Sequence, residues 1–433
     1  MNMRKRVAFC TLGCKVNQYE TEAIEELFSN DGYIIVPFGE VADIYVINTC
    51  SVTNTGDKKS RQMIRRAKKT NPNSIVIVTG CFAQTASEDV LNLPEVNLVI
   101  GTKERQNIVE IANSLTSDSK INLVRDIMHN HKFEELKISK YSNRTRAFIK
   151  IQEGCNQFCS YCIIPYARGP IRSRQPQEVI AEVKELTENG FEEVILVGIH
   201  VASYGLDLKS ANLEELLMEV DKIEGVKRIR LSSIEPMTLN TAFLDRVSDS
   251  KKLCHHFHIS LQSGCDETLK RMNRKYTTSQ YTEIVNGLRS KFPDVAITTD
   301  IMVGFPGETE DEFNQTLEFV RKIEFAEAHI FQYSPRKGTP AAKYPNQISS
   351  KIKEQRSKIL INECKKSKNN FLNKFIGKEV TVLFEQRTKD GMMEGKTDNY
   401  ITVHVPYEDN LEGMFKNVLL KEVSNNIVIG QVV

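Results

Sequence analysis

The 433 residues read as an α/β multidomain chain: an N-terminal parallel-sheet βαβ domain, an open (βα)6 partial barrel, and a small C-terminal β-barrel. Three observations predict this. Apolar runs rich in Val and Ile alternate with helix-compatible segments over the first hundred residues, and again from residue 146, which is the pattern of buried parallel sheets. Near residue 370 the helical segments stop, and short strands with tight turns take over. The chain is also too long for one ordinary core, so two or three domains are expected. The boundaries that follow are 3–115, a polar linker over 116–140, 141–371 and 372–433.

In the first domain, strand-like runs at 6–12, 43–48 and 74–79 each stop at a cysteine: Cys14, Cys50 and Cys81. The carboxyl ends of parallel strands open onto one crevice, where ligands bind. The three thiols would therefore converge although they are far apart in sequence. The alternative is three independent core thiols, since buried free cysteine is common. Gly13 and Gly80 favour convergence, because a backbone lying close to a metal needs the freedom of glycine. Cys10 lies inside its strand and reads as packing. Cys254, Cys265 and Cys364 have no ligand spacing.

In the middle domain the strands fall at 146–152, 192–199, 228–233, 256–262, 296–303 and 328–333, with amphipathic stretches such as 177–188, 213–223 and 310–323 between them. Working residues in such barrels gather at the carboxyl ends of the strands. There, after the first strand, stand Cys155, Cys159 and Cys162 in a C-x3-C-x2-C run. Soft thiolates suit iron–sulfur clusters and zinc. Structural zinc needs a fourth ligand, and no further Cys or His occurs between 150 and 170. Three irons of a [4Fe–4S] cluster can be held, leaving the fourth open. This layout resembles the radical S-adenosylmethionine (SAM) enzymes, whose open iron chelates the amino and carboxylate groups of SAM.

Such a cofactor also needs donors and acceptors for its ribose and adenine. Candidates at the other strand ends are His200, Ser232, Ser233, Glu235, Gln262, Ser263, Gly304 with Gly307 and Glu308, Tyr333 and Ser334. The turn at Gly304 suits packing against a flat adenine, and Tyr161 is a candidate to lie beside that ring. Each could equally be a cap or turn residue, and His200 a satisfied core histidine.

Strands at 379–385, 395–405 and 416–433, with turns at Lys389-Asp390-Gly391 and Ser424-Asn425-Asn426, suggest a small barrel of the kind that binds RNA, or else a generic β-domain for protein contact. Two basic segments would serve an RNA ligand, although both could be solvated faces. One carries Lys58, Lys59, Arg61, Arg65, Arg66, Lys68 and Lys69. The other carries Lys351, Lys353, Arg356, Lys358, Lys365, Lys366 and Lys368. The net charge of +2 says nothing either way. No apolar run approaches the ~20 residues that span a bilayer, and the N-terminus lacks a signal-peptide core, so a cytoplasmic protein without a membrane partner is expected. Ten cysteines then argue for metal or redox chemistry rather than disulfides.

Along nearly its whole length the chain resembles the methylthiotransferase family of radical SAM enzymes. The resemblance is carried by the loop from Gly154 to Pro165, by Ile259-Ser260-Leu261-Gln262-Ser263-Gly264 and by Gly304-Phe305-Pro306-Gly307-Glu308-Thr309. The C-terminal segment looks like the family's RNA-binding TRAM domain. Thr11-Leu12-Gly13-Cys14-Lys15-Val16-Asn17-Gln18 and Asn48-Thr49-Cys50-Ser51-Val52-Thr53 look like the threonylcarbamoyladenosine branch. Other branches act on isopentenyladenosine in tRNA or on a ribosomal-protein aspartate. The resemblance implies a tRNA substrate, methylthiolated at C2 of threonylcarbamoyladenosine just 3′ of the anticodon. It implies two [4Fe–4S] clusters, one on Cys155, Cys159 and Cys162 that cleaves SAM, and one on Cys14, Cys50 and Cys81 that carries sulfur. A second SAM methylates that sulfur, and an external one-electron donor and a sulfur donor complete the reaction. A non-catalytic RNA-binding protein would instead show closed metal sites of four ligands each.

Overall fold

The computed structural model describes residues 4–51, 54–139 and 144–433. Met3, the Val52-Thr53 pair and the domain boundary at 140–143 lie outside the described residues.

The first unit is a parallel six-stranded sheet of β1 (Arg6–Thr11), β2 (Ile34–Val36), β3 (Ile44–Thr49), β4 (Ile75–Gly80), β5 (Leu98–Val99) and β6 (Ile121–Asn122), in the order β2-β1-β3-β4-β5-β6. Every residue of β3 is buried, because helices cover both faces; the run is therefore continuously apolar rather than alternating. The strands expected from sequence are β1, β3 and β4. The others are edge pieces of two or three residues, and β6 lies inside the segment expected to be linker. Leu136 and Ile138 in that segment are also buried, against Phe148 and Ile195 of the next unit.

The middle unit has six parallel strands: β7 (Ala147–Glu153), β9 (Glu193–Gly198), β10 (Arg228–Leu231), β11 (His256–His258), β12 (Ala296–Val303) and β13 (Glu327–Gln332). A two-residue antiparallel strand, β8 (Arg172–Ser173), pairs with β7 at the edge. Single bridges at Ile229–Leu253 and Ile234–Ile259 join the β10 and β11 halves. No pairing of β13 with β7 occurs among the described residues, so the barrel is open as expected. Helices Pro176–Glu188, Leu213–Asp221 and Glu310–Ile323 bury their apolar stripes on its outside.

The C-terminal unit is a closed barrel of β14 (Glu379–Arg387), β15 (Met392–Lys396), β16 (Thr402–Pro406), β17 (Phe415–Ser424) and β18 (Ile427–Val432), in the order β14-β15-β16-β18-β17. The strand expected over 395–405 is split by a turn, in which Tyr400 takes a left-handed φ of 69° and Thr397 Oγ1 accepts from the Ile401 amide. Arginines of β10 dock the barrel: Arg228 donates to the carbonyls of Thr381 and Lys396, and Arg230 to those of Thr397 and Asp398. No helix among the described residues is long and apolar enough to cross a membrane.

Candidate active site

At the carboxyl ends of the middle strands lies a cavity of about 490 Å³. Cys155, Cys159 and Cys162 form part of its wall, with Tyr161, His200, Ser233, Glu235 and Gln262. The loop bearing the thiols is tied down locally. Gly154 has a φ of +77°, and a Cβ there would collide with the Pro170 carbonyl, so only glycine lets the chain turn toward Cys155. The Cys155 amide donates to Gly169 O (3.0 Å) and the Cys162 amide to Cys159 O (2.9 Å). Ser160 donates from its amide to Met272 O and from its hydroxyl to Arg271 O, clamping the loop to the following strand–helix unit.

Of the sequence candidates, Ser232, Ser263, Gly304, Gly307 and Glu308 do not line the cavity. Gly304 shows why. It makes a turn at φ +70°, donates its amide to Glu308 Oε2, and lies against the Lys353 side chain where a Cβ would clash. The adenine-packing turn expected there is filled by protein. Two charged cavity residues are not marked by the sequence. Arg274 donates to Glu235 Oε2 (2.7 Å) and to Cys159 Sγ (3.4 Å), and Asp300 lies 3.2 Å from His258. Arg274 reads as a surface cation in sequence, because the carboxylate and the cysteine it meets are more than thirty residues away.

Burial pushes the Cys155 thiol up to about 11 and Cys162 to about 12, with the neighbouring Cys159 adding to both. A cationic iron cluster is the partner that would hold such thiols as thiolates. At the cavity wall, Gln262 Oε1 and Tyr333 OH are buried with no hydrogen-bond partner among the described residues. Unpaired buried polar atoms are costly unless a ligand meets them, so the wall fits a polar cofactor beside the thiols. The Gln262 backbone is itself held at φ 65°, donating to Asp300 O and accepting from the Met302 amide.

The other triad stands at the carboxyl ends of three adjacent strands, β1, β3 and β4. Cys14 caps the helix Lys15–Asn30 and is exposed, Cys50 is half-buried and Cys81 is buried. Cys50 lies against Gly13: a Cβ on Gly13 would sit 2.9 Å from Cys50 Cβ and 3.1 Å from its Sγ, a contact that glycine alone leaves open. Burial raises the Cys81 thiol to about 11; Arg168 lowers it, while Cys14 and Cys50 raise it further.

Arg168 ties the two triads together. Its Nε donates to Cys81 Sγ (3.2 Å), and its Nη1 meets Glu20 and also Glu153, two residues before Cys155. Glu20 further receives Lys150 at 2.8 Å and Arg105 at 2.6 Å, all with fully buried side chains. Nothing in the sequence distinguishes this network from surface charge.

The Radical SAM superfamily model matches residues 149–320, Uncharacterized protein family UPF0004 matches 6–101, and the TRAM domain matches 373–433. The Threonylcarbamoyladenosine tRNA methylthiotransferase MtaB of Bacillus subtilis is 45% identical over 403 residues, spanning 92% of this chain and 89% of that protein. The tRNA-2-methylthio-N(6)-dimethylallyladenosine synthase of Caldicellulosiruptor saccharolyticus is 35% identical over 98% of this chain and 91% of its own. Among solved structures, the radical S-adenosylmethionine methyltransferase TsrM from Kitasatospora setae superposes with a TM-score of 0.57 at 13% identity, over 78% of this chain and 77% of that one, a likeness of fold.

Proposed function

The chain belongs to the tRNA methylthiotransferase family of radical SAM enzymes, and from that membership we infer that it places a methylthio group on C2 of N6-threonylcarbamoyladenosine, just 3′ of a tRNA anticodon. The observation that carries this reading is the pairing of two cysteine triads across one domain junction, in a chain 45% identical to a protein named for that reaction. We assign one [4Fe–4S] cluster to Cys155, Cys159 and Cys162, and a second to Cys14, Cys50 and Cys81.

When bound, these cofactors supply a radical able to act on an aromatic C–H, which no His or Glu base deprotonates at neutral pH, and the sulfur to be transferred. The protein positions them. Gln262 Oε1 and Tyr333 OH offer the SAM pocket unpaired polar atoms, with Ser233, His200 and Glu235 beside them. Glu235 is oriented by Arg274, and His200 by Ser203 Oγ on Nδ1 and by Gln152 Oε1 on its amide. Ile163, Ile199, Ile234, Met302 and Phe331 keep the same wall apolar and exclude water. Tyr161 packs edge-on against Phe305, which steadies the cysteine loop from behind.

For tRNA, the helix Asn54–Thr70 exposes Lys58, Lys59, Arg65, Arg66 and Lys69, and the closed barrel supplies a second surface for the phosphate backbone. The helix Ser350–Asn373 contributes less than its composition suggests. Its Lys353 turns inward to Tyr333 O, and its Arg356 to Glu308. An external one-electron donor and a sulfur donor complete the set of partners, and a tRNA substrate puts the work in the cytoplasm.

The test is nucleoside mass spectrometry on threonylcarbamoylated and isopentenylated tRNAs. Each is incubated anaerobically with reconstituted enzyme, SAM, reductant and sulfide. Methylthio product on the threonylcarbamoyl tRNA alone is expected. Product on the isopentenyl tRNA alone would move the chain to the branch of its 35%-identical relatives.

A further inference from the structure

A second cavity, about 660 Å³, is lined by Phe82 and Ile163, each next in sequence to a cysteine of a different triad. Its walls begin where the cysteines end. Phe82 follows Cys81, Ile163 follows Cys162, and Ser51, next to Cys50, accepts a hydrogen bond from Arg336 of the same groove (3.0 Å). A base that is activated from the SAM side and receives sulfur from the other triad has to lie within reach of both. The groove is lined by the residue that follows one cysteine of each triad, Phe82 and Ile163, and it shares Ile163 with the SAM pocket.

The charges along the groove differ in how they are engaged. Arg336 is paired with Asp57 at 2.8 Å. Glu88 receives Asn122 Nδ2 at 2.7 Å, which turns one oxygen toward the sheet edge. Asp89 and Lys337 also line the groove. Arg61 is different. It is half-buried, its guanidinium lies 5.2 Å over the Phe82 ring, and no ion pair to it occurs among the described residues. A guanidinium held over an aromatic ring still has N–H donors to offer a planar anion.

We propose that Arg61 binds the carboxylate of the threonylcarbamoyl group and so sets the choice of substrate over the uncharged isopentenyl group. The carboxylate is the one anion on the modified base itself, and an arginine over the ring of Phe82, the residue after Cys81, is the matching bidentate partner. The proposal rests on the threonylcarbamoyl reading of the site.

Two tRNAs of one sequence, with and without the threonylcarbamoyl group, separate this role from a phosphate contact. Their dissociation constants are measured for wild type, Arg61→Gln and Arg61→Lys, each checked for an unchanged melting temperature. Wild type should prefer the modified tRNA. Arg61→Gln should lose that preference by roughly tenfold to a hundredfold, the worth of a charge-assisted pair, and Arg61→Lys should fall between. Equal weakening of both tRNAs would make Arg61 a phosphate contact and overturn the proposal, as would an unchanged ratio or no preference in wild type. Failure of the underlying reading looks different: wild type would then form no methylthio product on threonylcarbamoyl tRNA, whatever Arg61 does.

Discussion

Arg168 is the residue on which the junction turns. Its guanidinium is fully buried, bridges Glu20 and Glu153, and donates to Cys81. Arg168→Met would leave two carboxylates short of a cation in a dry interior, which should cost about 3–5 kcal/mol of stability in urea melts. The same network predicts a pH dependence. Burial alone would raise the Glu20 carboxyl, but Arg105, Arg168 and Lys150 outweigh it and hold it well below its ordinary value of 4.5. A depressed carboxyl contributes stability that is fully present above its unfolded value and is lost as pH falls through the folded one. Urea midpoints should therefore be flat in this contribution from pH 7 to 5 and fall below about pH 4, less steeply in Arg168→Met. The sequence disclosed the cysteines because three ligands within eight residues form a local signal. Arg168, Arg274 and Arg105 are illegible in sequence because their carboxylate partners are 15 to 148 residues away, and a buried arginine looks like a surface one in sequence.

The strand-to-loop turns are the elements that aim the thiols. Gly80 ends β4 at φ +94°, and a Cβ there would lie 2.5 Å from Thr49 O and clash with Asn48 Oδ1. Gly80→Ala should misplace Cys81, so iron content after reconstitution should drop by one cluster's worth while SAM cleavage persists. Long, largely buried strands such as β3, β4 and β12 are readable from their apolar runs. β2, β5 and β6 were not, since two or three residues carry no periodicity. The turn splitting β15 from β16 was missed because it uses Thr397 and Tyr400 rather than glycine. The helix Ser350–Asn373 was read as a basic face, yet two of its cations point inward and its Leu360 and Cys364 join the barrel core.

At the scale of the whole molecule, three units are joined by arginines rather than by apolar surface alone. Arg230 lies over the Tyr400 ring, donates to Glu193 at 3.0 Å and holds two carbonyls of the C-terminal barrel. Arg230→Ala should free that barrel from β10, seen as faster hydrogen exchange over 396–401 and weaker tRNA binding, with SAM cleavage in the absence of tRNA unchanged. The central claim is that two cysteine triads do separate work on one base held between them. The most direct measurement follows 5′-deoxyadenosine and methylthiolated nucleoside together in a single anaerobic reaction of the Cys50→Ala variant. The account predicts continued SAM cleavage with no methylthio product. Methylthio product from that variant, or loss of SAM cleavage in a folded protein that keeps the other cluster, would contradict it.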